Sequence, residues 1–99
     1  MAEYINLNRC RSFNLTVGGS LIAFTDQLCS EVIVINRTAG PIILKDSNYF
    51  DDANGFLLED DESVTLRGLT NSNQVSAIST AGSGPVYYRT QFYSNNPSR

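Results

Sequence analysis

Phe13, Leu15 and Val17 alternate with Ser12, Asn14 and Thr16. A period of two sends the two sets to opposite sides of an extended backbone, the mark of a strand with one buried face. Gly18-Gly19 follows, and Ser20-Leu-Ile-Ala-Phe24 resumes the apolar run, so the pattern predicts a hairpin over 12–24. Glu31-Val-Ile-Val-Ile-Asn36 is apolar on both faces and β-branched at four successive positions, which fits a central strand. Arg37-Thr-Ala-Gly40 supplies a turn. Pro41 then opens a strand through Ile42-Ile43-Leu44, where a missing backbone donor does little harm, and the pair predicts a second hairpin.

From Lys45 to Asp61 the chain turns Asp, Asn and Gly rich around Tyr49, Phe50 and Phe56, as in a long loop held by its own aromatics. Glu62-Ser-Val-Thr-Leu-Arg67 alternates again, with Val64 and Leu66 inward, and Gly68 to Asn73 leads into Val75-Ser-Ala-Ile-Ser79. Ala81-Gly-Ser-Gly-Pro85 reads as a turn, and Val86-Tyr-Tyr-Arg-Thr-Gln-Phe-Tyr93 as a closing aromatic strand. On that strand Val86, Tyr88 and Phe92 point one way, Tyr87 and Tyr93 the other. No window carries helical spacing of apolar positions. The expectation is an all-β domain of about seven short antiparallel strands, a small β-sandwich or barrel, because one open sheet would leave an apolar face uncovered.

Length and composition narrow this further. Ninety-nine residues, 41% hydrophobic and 17% charged, suit a single folded core over 1–99, with an N-terminal arm at 1–9 and a polar tail at 94–99. The net charge is −3 and the seven basic residues are scattered, whereas binding of bulk nucleic acid needs clustered positive charge. The start lacks an apolar segment behind a basic one, and no run approaches the roughly 20 apolar residues that span a bilayer, so neither secretion by that route nor a membrane span is expected. Cys10 and Cys29 are the two cysteines, spaced unlike paired zinc ligands and read as buried apolar residues in preference to a disulfide.

Histidine is absent, which removes the usual neutral-pH base and every Ser-His or Cys-His nucleophile. Glu59 and Glu62 are a carboxylate pair of the kind that cleaves glycosides, but they flank Asp60-Asp61 in an acidic turn that reads better as solvated surface. Asp52-Ala-Asn54-Gly55 fails as a calcium loop, since Phe50 falls where the first carboxylate ligand belongs. Weak calcium binding by Asp51, Asp52 and the 59–62 cluster is the residual option. The glycine pairs precede no helix, so no phosphate cradle is indicated. Asn14-Leu-Thr16 and Asn36-Arg-Thr38 match the glycosylation pattern and are read as strand and turn residues. No catalytic residue, metal or cofactor is expected.

The aromatic closing strand is the suggestive segment. It is either buried between two sheets, or Tyr87, Arg89 and Tyr93 lie in a subunit contact, where Tyr and Arg are favoured. Tyr4, Ile5 and Leu7 either add an edge strand to their own sheet or reach a neighbour. Tyr49, Phe50 and Phe56 form the platform of a rival reading, a carbohydrate-binding module.

The order Glu31-Val-Ile-Val-Ile-Asn36-Arg-Thr38, Ile43-Leu44, Gly55-Phe-Leu-Leu58, Glu62-Ser-Val-Thr-Leu66, Val75-Ser-Ala-Ile-Ser79 and Val86-Tyr-Tyr88 resembles small β-rich virion proteins of tailed bacteriophages, particularly those that decorate or cement the capsid. The resemblance covers residues 31 to 93. It implies a non-enzymatic structural protein made in the host cytoplasm and placed on the outer capsid surface, a trimer or dimer that binds the major capsid protein. A tail, neck or fibre-attachment component, binding another virion protein, is the alternative within the same class.

Overall fold

The computed structural model describes residues 4–5, 10–46 and 55–94, and within them the chain is all β. The strands are β1 (Tyr4–Ile5), β2 (Arg11–Val17), β3 (Ile22–Ala23), β4 (Glu31–Asn36), β5 (Ile42–Asp46), β6 (Phe56–Leu58), β7 (Ser63–Arg67), β8 (Val75–Ser79), β9 (Gly84–Gln91) and β10 (Tyr93–Ser94). Eight of them form two four-stranded antiparallel sheets. Sheet I has the order β2-β9-β4-β7 and sheet II the order β3-β8-β5-β6, while β1 and β10 pair separately.

The pairings follow one rule. β1 pairs with β10, β2 with β9, β3 with β8, β4 with β7 and β5 with β6. The described chain is thus one long antiparallel hairpin folded at the β5–β6 connection. Two further pairings, β4 with β9 and β5 with β8, roll that hairpin into a sandwich. This is the jelly-roll arrangement.

It corrects the two hairpins expected from the sequence. β2 and β3 lie in different sheets, as do β4 and β5, so Gly18-Gly19 and Arg37–Gly40 carry the chain across the sandwich. A two-residue glycine turn reads as a hairpin only if the strands on either side pair with each other, and here each finds a partner far along the chain. Phe56, expected in a loop, is the first residue of β6, and Pro85 lies inside β9. The aromatic closing strand breaks at Phe92, so Tyr93 belongs to the short β10 opposite Ile5.

Period-two patterning sets the core as expected. Val17, Val32, Val34, Val86 and Tyr88 from sheet I face Ile42, Leu44, Leu58, Val75 and Ala77 from sheet II, all buried, and Phe24, Cys29 and Leu69 from the connections join them. Phe13, Leu15, Val64 and Leu66 pack partly buried against this cluster. Tyr88 stacks between Phe24, at 4.1 Å between ring centroids, and Phe13, at 5.3 Å. Its buried hydroxyl accepts the Thr25 backbone N–H at 2.8 Å, giving the phenol the polar partner that burial demands. Cys10 and Cys29 are not joined in a disulfide.

Each end of the sandwich is tied by its connections. At one end Asn36, fully buried, donates from Nδ2 to the carbonyls of Gly40 and Leu58 at 2.8 and 2.9 Å. Asp60 accepts the Ala39 N–H at 2.9 Å, and Asp61 sits 3.5 Å from Arg37. Gly84 lies against Thr38 so closely that a Cβ there would stand 2.8 Å from the Thr38 Cα. At the other end Asn71 caps a single 3-10 turn, Ser72–Gln74, and its Oδ1 also accepts the Gln27 N–H at 3.1 Å. The Ser72 hydroxyl donates to the Thr25 carbonyl. The Asn36-Arg-Thr38 pattern is therefore a turn device, as the sequence predicts.

Candidate functional site

Pairing register lets the outward residues be read across each sheet. On sheet I, Asn14, Tyr87, Ile35 and Ser63 form one row, and Ser12, Arg89, Ile33 and Thr65 the next. Tyr87 is 46% exposed, Arg89 is exposed, and Ile33 and Ile35 are half-buried. The centre of this face is apolar and aromatic, and its flanks carry hydroxyls and an amide. Beside Tyr87 a groove of about 610 Å³ runs to the β6–β7 turn, lined by Ile35, Arg37, Ala39, Asp60, Asp61, Pro85 and Tyr87.

The third row of the same face is polar and closed. Gln91, Glu31 and Arg67 stand opposite one another. Gln91 Nε2 donates to Glu31 Oε1 at 2.6 Å, Arg67 Nε lies 3.2 Å from Glu31 Oε2, and Arg89 Nε donates to Gln91 Oε1 at 3.4 Å. Although it points outward, Glu31 is only 2% exposed. A carboxylate withdrawn from water to that degree is held by charge and hydrogen bonding together, and this row fixes one end of the face.

On sheet II the outward positions form a second apolar row. Leu57 stands opposite Ile43 and Ile43 opposite Ile78, and the register of β3 carried one residue further sets Leu21 beside Ile78. Leu21 and Leu57 at the row's ends are 51% and 53% exposed, and Ile43 and Ile78 between them are half-buried. Gly55 keeps the row flat, because a Cβ there would come within 2.4 Å of the Ile43 side chain. The chain matches no family model, no curated protein and no solved structure.

Of the residues singled out from the sequence, the structure brings Tyr87 and Arg89 together on the outer face of sheet I. Tyr4, Ile5 and Tyr93 are placed by backbone pairing only, with Tyr4 opposite Ser94 and Ile5 opposite Tyr93 of the same chain, away from the Tyr87 rows in register. Leu7, Tyr49 and Phe50 lie outside the described residues, as do Asp51 and Asp52. Phe56 is 42% exposed at the edge of sheet II, opposite Leu44. In the acidic turn Glu62 accepts the Glu59 N–H at 2.8 Å, so that Asp60, Asp61 and Glu62 are each engaged in local structure. Among the described residues no three His, Cys, Asp or Glu side chains are placed to hold one metal ion.

The Leu21, Ile43, Ile78 and Leu57 row is not legible as a unit in the sequence, where Lys45 to Asp61 reads as a loop and 12–24 as a hairpin. The signal was there in residue type: Phe56-Leu57-Leu58 is a short apolar run bounded by turn residues, which fits a strand.

Proposed function

We propose that this chain is a non-enzymatic structural protein of a tailed-phage virion, one that decorates or cements the capsid by binding the major capsid protein. The observation that carries this reading is that both outer faces of the sandwich are apolar at their centres. A sheet with one solvated face ordinarily carries polar residues there, and contiguous exposed apolar surface marks a place where another protein sits. The two sheets are packed back to back, so the two faces point in opposite directions. A chain that bridges neighbouring capsid subunits needs contacts on more than one side, and several modest contacts acting together hold far more strongly than any one.

The Tyr87 face has the composition of an interface centre, an aromatic and an Arg framed by hydroxyls. The Leu21 to Leu57 row offers aliphatic area, and Lys45, two positions from Ile43 along β5 and opposite Ser76, borders it on the same face. The jelly-roll frame supports both, because Tyr87 and Ile35 on β9 and β4, and Ile78 and Ile43 on β8 and β5, are on strands flanked on two sides and need little ordering when covered. Mass spectrometry of purified particles, followed by imaging of particles carrying a labelled copy, tests the reading. Label over the head surface supports it; label confined to the tail or neck replaces the capsid protein with another virion partner, and absence from particles overturns it.

A further inference from the structure

Four strands end the two sheets: β2 and β7 in sheet I, β3 and β6 in sheet II. An edge strand directs alternate N–H and C=O groups away from its sheet, and another extended backbone is what satisfies such a row. Three of these edges are blunt. β3 has two residues and β6 three. β7 ends at Arg67, whose guanidinium is drawn to Glu31, and it lies between Asp61 and Gly68, both with positive φ. β2 differs: it runs for seven residues without Pro or Lys, and its one charge, Arg11, is at its end.

The residues of β2 also match one another. Ser12-Phe-Asn-Leu-Thr16 reads nearly the same in both directions by residue type. We propose that β2 pairs with β2 of a second copy, antiparallel about a two-fold axis through Asn14. Phe13 then stands opposite Leu15 of the second copy and Ser12 opposite Thr16, the apolar and hydroxyl pairs that stabilise antiparallel strands. Phe13 and Leu15 are only partly buried at the sheet edge, and the pairing covers what remains. Self-complementarity of this kind is what a two-fold contact requires. The two copies share one eight-stranded sheet whose outer face repeats Tyr87, Asn14, Asn14, Tyr87, since Asn14 is the register partner of Tyr87 in each.

The inference rests on the sheet edge and is independent of the capsid reading. Light scattering of the purified full chain, without capsids, over a wide concentration range tests it together with two variants. The expected result is a dimer of the 10.9 kDa chain that Asn14→Lys weakens by about tenfold or more, two like charges being set directly opposite at the axis. In a Cys10→Ser background, Asn14→Cys gives a covalent dimer on oxidation, and Thr65→Cys, on the far edge, does not. Circular dichroism confirms that each variant is folded, and Asn14→Thr, which keeps a good strand former, retains the dimer. A monomer at every concentration, or a dimer indifferent to Asn14→Lys, overturns the proposal. Capsid binding by such a monomer leaves the functional reading intact, and a dimer that binds no capsid does the opposite.

Discussion

Asn36 Oδ1 accepts the Thr38 backbone N–H at 2.9 Å and lies 2.8 Å from the Thr38 hydroxyl, while its Nδ2 ties Gly40 and Leu58. One buried amide thus closes the turn between β4 and β5 and fastens it to β6 in the same sheet as β5. Replacing Asn36 with Ala leaves buried carbonyls and an N–H without that partner, each costing about 1–3 kcal/mol in part. Asn36→Ala is expected to lose about 2–4 kcal/mol in urea unfolding with little change in the slope.

Ala39, next in that turn, has φ of 69°, a region in which an L side chain costs about 1 kcal/mol. Ala39→Gly relieves the strain at some cost in unfolded-state entropy. A net gain of up to about 1 kcal/mol is expected, read as a higher unfolding midpoint. A loss of stability would show that the Ala39 methyl contributes more in contact than its backbone costs.

Tyr88→Phe keeps the ring stacked between Phe24 and Phe13 but removes the acceptor of the Thr25 N–H. A loss of about 1–2 kcal/mol is expected. Because the bond joins β9 to the segment after β3, amide exchange at Thr25 should quicken more than exchange in β4.

Burial raises the Cys29 thiol from 9.0 to about 11. The folded state therefore holds this proton over a range in which the unfolded chain releases it, so stability is full below about pH 9 and falls as pH rises toward 11. Two pKa units correspond to about 2–3 kcal/mol. Unfolding followed between pH 8 and 11 should show a decline that is shallower in Cys29→Ala. Thiol reagents should label the half-buried Cys10 well before Cys29.

The longer strands and their facing are legible in the sequence, and the three-residue β6 and the strand partners are not. Alternation in 12–17, 63–67 and 75–79 identified which side chains turn inward, and β-branching identified β4 as interior to its sheet, because both properties are local. Pairing is decided by burial across the whole chain. β2 ends in Gly18-Gly19 like a hairpin strand, yet its partner is β9, about 70 positions away in register. Tyr87 and Arg89 were found because alternation along β9 fixes their side of the sheet. Leu57 was missed because β6 has three residues, too few for a period to show, and Glu31 because nothing local reveals that Gln91 and Arg67 flank it.

Capsid binding by variants of each outer face tests the central claim most directly. Ile35→Thr with Tyr87→Ser alters one face, Leu21→Ser with Leu57→Ser the other, and all four side chains point away from the core, so the fold should be retained. Cosedimentation with purified capsids is expected to fall about tenfold or more for each double variant and to vanish when the two are combined, because both faces are engaged. Full binding by the combined, folded variant would contradict the account.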